Sequence, residues 1–443
     1  MTPVSPAREA AAALLFKWEK EKAFADILYR SYVKDTDMDP RDVALTGFLF
    51  YGAVENLMLE DYLIASVSKF RLKKIHPKVL AILRLSVFQI LFGEKLPLHA
   101  VLNDAVNLVA RVNPQAKGFS NAVLRALSVY REEKPEIRAE SEIERLSVLY
   151  SHPAELVALY AERLGLEECE RMLQWNNSSP ATEIRINTIK TDRSSFENLM
   201  KEAGIACEFD PAIPEMGKLL SQTDVERSEV FKEGLFTVQS KASCLAVLAG
   251  KPEKGETVID VCSAPGGKSF LAAALMGNEG KIYSRDLYEN KVTLIREGAK
   301  RLGITIIRAE QHDASVKDEK LVDKADLVLC DVPCSGLGVI SKKPDIKYKS
   351  MEDILSLPAL QASILKASSS YVRKGGRIVY STCTVNKAEN EDIVDAFLKD
   401  NPEFIREEAE MPLNFETKNG ERTLWPTRDA TDGFYFCLLR RKG

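Results

Sequence analysis

Three short segments hold most of the side chains able to do covalent chemistry. Asp331-Val332-Pro333-Cys334-Ser335-Gly336-Leu337-Gly338 directly follows an apolar run, Ala325–Cys330. Tyr380-Ser381-Thr382-Cys383-Thr384 closes another, Arg377–Ser381. Asp260-Val261-Cys262-Ser263-Ala264-Pro265-Gly266-Gly267-Lys268-Ser269 follows a third, Thr257–Val261. One thiol after a strand packs as readily as it reacts. Two thiols and a carboxylate at the ends of neighbouring strands point to a site. A thiolate adding to carbon 6 of cytosine pushes electron density onto carbon 5, which can then attack a methyl sulfonium. One hard step becomes two easier ones. A carboxylate at the N3 and amine edge favours the protonated, electron-poor ring. A second cysteine can assist expulsion of the first. The attacking thiol must ionise against a free value of about 8.5. The residues alone leave open whether Cys383 or Cys334 attacks.

The third segment is the candidate cofactor loop. Gly266 and Gly267 let the backbone approach a ligand closely, and the helix that follows offers free N–H groups at its start. Gly267-Lys268-Ser269 resembles the end of a phosphate-binding loop, G-x-x-x-x-G-K-[ST]. The opening glycine of that motif falls at Cys262, however, and Pro265 removes an N–H from the cradle. Asp286 lies nineteen residues beyond Gly267, at the end of the next expected strand, where a carboxylate suits the two hydroxyls of an adenosyl ribose. Asp313 follows the third strand, within reach of an adenine edge. Cys262, Ser263, Ala264, Pro265, Gly266, Gly267, Lys268, Asp286, Asp313 and Asp331 therefore form the expected site for S-adenosylmethionine.

These segments need a parallel sheet to bring them together. Strand runs are expected at Thr257–Val261, Lys281–Arg285, Ile304–Arg308, Ala325–Cys330 and Arg377–Ser381, several of them separated by helical stretches. That alternation predicts a mostly parallel, doubly wound α/β domain, whose ligands bind at the carboxyl ends of the strands. Upstream, apolar residues recur at helical spacing through Ala11–Trp18, Val43–Tyr51 and Val79–Phe92, predicting an all-α domain. Residues 128–150 are highly charged and read as a linker helix or exposed connection. A strand at Thr182–Thr188, a helix at Ser194–Ala203 and a further strand predict a small α+β domain. The expected domains are 1–135, 136–235 and 236–443.

Composition sets limits on the rest. The 443 residues carry eight cysteines with no Cys-x-x-Cys pair and four histidines, so no metal site is expected. Cys169, Cys207, Cys244 and Cys437 read as small buried hydrophobes. No apolar run reaches the length of a membrane helix, and the N-terminus lacks a signal-peptide layout, so the expected compartment is the cytoplasm. Net charge is −4, against the basic balance usual for nucleic-acid binding. The distribution is uneven, though: Ser66 to Arg125 holds ten Lys or Arg against Glu94 and Asp104, a net of +8. Lys342, Lys343, Lys347 and Lys349 form a second basic cluster. Either cluster can be a solvated face. His99, after Pro97, reads as a packing residue at a helix start.

The three motifs, in this order and spacing, resemble the RNA cytosine-C5 methyltransferases of the Sun/Nop family. Further matches are Arg185-Ile186-Asn187-Thr188, Lys343-Pro344-Asp345, Gln361 before Ile364, Glu389-Asn390-Glu391 and Asp432-Gly433-Phe434-Tyr435. The likeness covers roughly residues 150–443. It implies a Rossmann-like methyltransferase domain, with Cys383 as nucleophile, Cys334 as release assistant and Asp331 holding the cytosine. The helical N-terminus resembles a NusB-like RNA-binding domain through Arg41-Asp42-x-Ala44-Leu45, Gln89-Ile90-Leu91, Pro97-x-His99-Ala100-Val101 and Lys117–Arg125. His152-Pro153-Ala154-Glu155-Leu156 departs from the family in lacking the Trp that often follows this proline.

The combined layout implies a 16S rRNA substrate, at cytosine 967 in standard rRNA numbering, free or in early small-subunit particles, acted on by a monomer. RNA contact is expected at Lys69, Arg71, Lys73, Lys74, Arg185 and Lys343, although Arg185 and Asn187 on the RRM-like sheet of the middle domain read equally as the polar face of a strand. Two alternatives remain at this stage. One is a non-catalytic NusB-like RNA-binding factor; the other is the same chemistry on another rRNA or tRNA cytosine.

Overall fold

The computed structural model describes residues 4–21, 23–220, 227–412 and 414–443. The chain divides into two compact units. One is Met1–Ser178 with Ile340–Tyr348; the other is Ser179–Val339 with Lys349–Gly443.

The described residues of the first unit contain helices and short 3-10 turns and no strand. Its central helix, Pro77–Phe92, is buried on every side, since each of residues 81–90 is buried. Helices Pro6–Glu21, Pro40–Glu55, Leu57–Val67, Leu98–Val112 and Lys117–Leu127 pack around it. A helix that is apolar all round belongs in a core. Proline at the first position starts it where no N–H is needed. Residues 128–150 form a 3-10 turn at Ser128–Arg131 and then a helix at Glu142–Leu149. The charged stretch is pinned by Arg131, whose guanidinium donates to the carbonyls of Gln89, Glu94 and Leu96.

In the second unit, β1 (Glu183–Ile186), β2 (Cys207–Phe209), β3 (Met216–Leu219) and β4 (Phe236–Val238) form an antiparallel sheet in the order β2-β3-β1-β4. Ile184 and Ile186 pack with Phe196 and Met200 of helix Arg193–Glu202.

The larger sheet contains β5 (Thr257–Asp260), β6 (Lys281–Asp286), β7 (Ile307–Gln311), β8 (Ala325–Asp331), β9 (Val372–Thr382), β10 (Phe404–Arg406), β11 (Glu421–Leu424) and β12 (Phe434–Arg441). Its order is β10-β12-β9-β8-β5-β6-β7, with β11 on β12. The five expected strands are present and mutually parallel, and β10 to β12 add an antiparallel edge. Two expectations shift in register. β7 starts at Ile307 rather than Ile304, because Gly303 ends the preceding helix and Ile304 is spent in the core. β9 starts at Val372, ahead of the glycine pair 375–376.

Successive residues of the central strands face alternate cores. Val258, Leu327, Leu329 and Val379 face one core with helices Lys241–Gly250, Gly267–Leu275 and Glu289–Leu302. Ile259, Val328, Cys330 and Ile378 face the other, which includes residues of helices Met351–Ser369 and Glu391–Asp400. A sheet covered on both faces requires nearly continuous apolar runs. It also explains Cys330, a core thiol that burial pushes up to about 12.

Candidate active site

From β5 the chain adds β6 and β7 on one side, then crosses back to add β8 and β9 on the other. The carboxyl ends of β5 and β8 therefore flank a topological switch point, where such sheets bind ligands. The loop after β5 is tightly built. The Ser263 N–H donates to the Arg285 carbonyl at 2.7 Å, and the Gly266 N–H to the Ser263 carbonyl at 2.7 Å. Gly266 has φ +112°, and a Cβ there would lie 2.3 Å from the Phe270 ring, so only glycine serves. Helix Gly267–Leu275 begins at this point.

Asp260 is fully buried. Its Oδ2 accepts from Ser269 Oγ at 2.7 Å, and Ser284 Oγ donates to Ser269 Oγ at 2.7 Å. Burial raises the Asp260 carboxyl to about 7. Its Oδ1 and the buried Ser263 Oγ have no hydrogen-bond partner among the described residues. Native interiors seldom leave such atoms unsatisfied. Two orphaned polar atoms beside a free helix N-terminus fit a polar ligand such as S-adenosylmethionine.

Asp286, at the end of β6, is buried. Its Oδ1 accepts from the Tyr288 N–H at 3.3 Å and lies 3.8 Å from Lys291 Nζ. Asp313, beyond β7, is exposed. Hydrogen bonds from the Ser315 hydroxyl and N–H hold its carboxyl below the ordinary value. Asp286 is thus built into the floor of the strand ends, and Asp313 stands at the surface.

The β8–β9 register sets Asp331 opposite Ser381. Ser381 Oγ donates to Asp331 Oδ1 at 2.8 Å, and Lys268 Nζ donates to Asp331 Oδ2 at 2.7 Å. Burial works to lower the Lys268 pKa, but the Asp331 carboxylate outweighs it and holds the ammonium above its ordinary value. Lys268 also lies 5.3 Å from the centre of the Phe434 ring. Expected as a cofactor-loop residue, Lys268 directs its charge to Asp331.

Cys334 Sγ and Cys383 Sγ are 3.0 Å apart. The hydrogen bond to the Cys383 sulfur, together with burial, pushes the Cys334 thiol well above its ordinary value. Either sulfur can be the donor in this contact.

Glu389 locks the two thiol loops together, a role its sequence position did not reveal. It is fully buried. Oε2 accepts from the Ser335 N–H at 2.8 Å and from Gln361 Nε2 at 2.9 Å, while Oε1 accepts from Ser335 Oγ at 2.6 Å and Asn386 Nδ2 at 2.9 Å. Ser335 Oγ also lies 2.8 Å from Thr384 Oγ1. Both neighbours of the thiols, Ser335 and Thr384, are thus held in one hydrogen-bonded cluster. The Gly338 N–H donates to the Cys383 carbonyl at 3.0 Å and the Gly433 N–H to the Gly338 carbonyl at 2.8 Å. A Cβ on Gly338 would sit 1.9 Å from the Gly433 carbonyl oxygen.

The residues expected to touch RNA fare differently. Lys69, Arg71, Lys73 and Lys74 are exposed in the first unit. Not all of the +8 segment is available: Arg84 is buried and paired with Glu19 and Asp61. Arg185 is corrected. It is buried, its Nε donating to Gln239 at 2.6 Å, and burial lowers its pKa to about 10. Asn187 is buried too, donating to the Gly234 and Leu302 carbonyls at 2.8 Å each. The face of β1 that bears them turns into its own unit, so it is no RNA-facing sheet surface. In the second cluster Lys343 is exposed, whereas Lys347 is buried, donating to the Glu55 carbonyl at 2.9 Å and to Asn177. No helix among the described residues is long and apolar enough to cross a membrane.

Comparison with known proteins agrees with this architecture. Residues 247–440 match the family described as 16S rRNA methyltransferase RsmB/F, residues 5–128 the NusB family, and residues 152–226 the ferredoxin-like domain of RsmF/B-like methyltransferases. The "Probable ribosomal RNA small subunit methyltransferase B" of Bacillus subtilis (strain 168) is 36% identical, over 98% of this chain and 99% of its own. The ribosomal RNA small subunit methyltransferase B of Escherichia coli O6:H1 is 30% identical over 98% of each chain. The solved structure of PH0851 superposes with a TM-score of 0.82 at 27% identity, covering 98% of this chain and 99% of that one. With a helical NusB domain, a ferredoxin-like domain and a methyltransferase sheet in this order, the chain belongs to the ribosomal RNA small subunit methyltransferase B family of S-adenosylmethionine-dependent enzymes.

Proposed function

We propose that this enzyme methylates carbon 5 of a cytosine in 16S rRNA, at position 967 in standard rRNA numbering, with Cys383 as nucleophile. The observation that carries the chemistry is the 3.0 Å pair Cys334–Cys383 beside Asp331. The Cys383 thiolate forms a bond to carbon 6, and the displaced electron pair makes carbon 5 nucleophilic. Asp331, held by Lys268 and Ser381, takes the N3 and amine edge of the base. S-adenosylmethionine, when bound, supplies an electrophilic methyl group, and Cys262 to Lys268, Asp286 and Asp313 hold it. After transfer the carbon-5 proton leaves to water, the S–C6 bond breaks, and the electron pair returns to Cys383. The Cys334 S–H assists by hydrogen-bonding the departing thiolate. Lowering the charge development of a leaving group in this way is electrostatic stabilisation of the transition state.

Lys69, Arg71, Lys73, Lys74 and Lys343 contribute phosphate contacts. Residues 1–135 serve as the RNA-binding domain and 236–443 as the catalytic one. The enzyme works as a cytoplasmic monomer on free rRNA or an early small-subunit particle. Bisulfite sequencing of 16S rRNA from a strain lacking the gene tests the assignment. The cytosine should become convertible at that position, and return to protection when the gene is restored. Methylation persisting in the deletion strain would overturn the target assignment.

A further inference from the structure

The first unit presents an aromatic residue to solvent in the middle of its unpaired cations. Phe70 is 55% exposed. Its position is held from two sides. Its ring meets Phe119 edge-on, centroids 5.2 Å apart at 67°. Ser68 Oγ donates to the Phe70 carbonyl at 2.7 Å and accepts from the Phe70 N–H at 3.0 Å. Lys69 and Arg71 flank it, and Lys73 and Lys74 follow on the 3-10 turn Leu72–Lys74, all exposed. None of the four has a carboxylate partner among the described residues. Lys117 opens the helix that carries Phe119 and is also exposed.

We propose that Phe70, braced by Phe119, is a stacking platform for an unpaired base of single-stranded RNA, with the surrounding Lys and Arg neutralising the adjoining phosphates. A base has an apolar face that covers the exposed ring, and the phosphates on either side of it match the cations. Such pairing of aromatic platform and basic track is how single strands are held without sequence readout. RNA loops and bulges supply splayed bases of this kind. A preorganised ring loses little entropy on binding, because the Ser68 bonds and Phe119 have already fixed it. An apolar protein partner would use the ring but leave the cations unmatched, which favours RNA.

This inference rests on the proposed 16S rRNA substrate and adds how the strand is gripped. The test compares full-length wild type with Phe70→Ala, Phe70→Leu and Phe70→Trp on a fluorescent unstructured RNA of about ten nucleotides, and on the same length bearing abasic sites. Loss of one stacked base weakens binding by about ten-fold or more. Phe70→Ala and Phe70→Leu should both show this loss, with the salt dependence unchanged because no phosphate contact is removed. Phe70→Trp should bind as well as wild type, and the abasic RNA should erase the difference between variants. Phe70→Leu keeps an apolar contact on Phe119, so folding is preserved and its binding decides between apolar packing and stacking. Wild-type affinity in Phe70→Leu overturns the proposal and leaves a protein-docking patch. Methylation of 16S rRNA by the wild type is read separately. If that fails while the Phe70 variants lose RNA, the functional reading falls and this one stands.

Discussion

Asp331 of β8 and Ser381 of β9 are register partners in the parallel ladder, and the Ser381 hydroxyl donates to the Asp331 carboxylate at 2.8 Å. Beyond this pair the chain continues for two or three residues, past the strand ends, to a cysteine. The matched ends bring Cys334 and Cys383, 49 residues apart in sequence, to 3.0 Å. The spacing of the two thiol loops starts from strand register, which a sheet holds more rigidly than a loop.

The two thiols should separate cleanly on mutation. Cys383→Ala should abolish methylation and form no covalent RNA adduct. Cys334→Ala should still attack and transfer methyl, then stall at expulsion. A denaturation-resistant, S-adenosylmethionine-dependent protein–RNA band should appear on gels for Cys334→Ala alone. A trapped complex with Cys383→Ala instead would assign the attack to Cys334.

Asp286 is the buried carboxylate at the end of β6. Asp286→Ala should weaken S-adenosylmethionine binding by about 1.5–3 kcal/mol, the usual worth of hydrogen bonds to a charged group. Calorimetry gives the number directly. Unchanged affinity would remove Asp286 from the cofactor site.

Neutralising Lys69, Arg71, Lys73 and Lys74 together should weaken RNA binding and flatten its salt dependence. Each lost phosphate contact lowers the log–log slope by about 0.7–0.9. Filter binding across a salt series measures it. This outcome differs from that for Phe70, where affinity should fall at constant slope.

His152 provides a pH-dependent term in stability. Its ring is fully buried, with Nδ1 2.7 Å from the Tyr150 carbonyl and Nε2 3.1 Å from Asn176 Nδ2. Those partners suit the neutral tautomer with its proton on Nδ1. Burial, and then the charge of Lys347, hold its pKa well below 6.5. Below pH 6.5 the unfolded chain takes up a proton that the folded chain refuses, so stability falls with pH, by up to about 1.4 kcal/mol per unit. Thermal melts between pH 7.5 and 5 should show wild type losing more Tm than His152→Gln. Parallel curves would mean that His152 does not govern the loss.

The gathering of two thiols and a carboxylate at neighbouring strand ends was legible in the residues themselves. Apolar runs ending in Asp331-x-x-Cys334 and Ser381-x-Cys383 announce parallel strands and place both motifs at one edge, because two-sided burial demands such runs. The Gly266-Gly267 pair marked the loop as a close backbone approach, and the structure adds that a Cβ on Gly266 would meet the Phe270 ring. What the tertiary structure decided is the pairing between distant polar groups. Lys268 and Asp331 are 63 residues apart, and neither the loop motif nor the strand motif contains the other. Glu389 gathers Ser335, Gln361 and Asn386 only after helix Met351–Ser369 has packed on the sheet. Arg185 shows the same limit from the opposite side. Alternation along β1 separates its face from that of Ile184 and Ile186, but alternation records a difference in polarity between faces and not what lies against each. Covered by its own unit and bonded to Gln239, that polar face is interior. Periodicity is a local property of the chain; burial of a charge is settled by whatever packs over it.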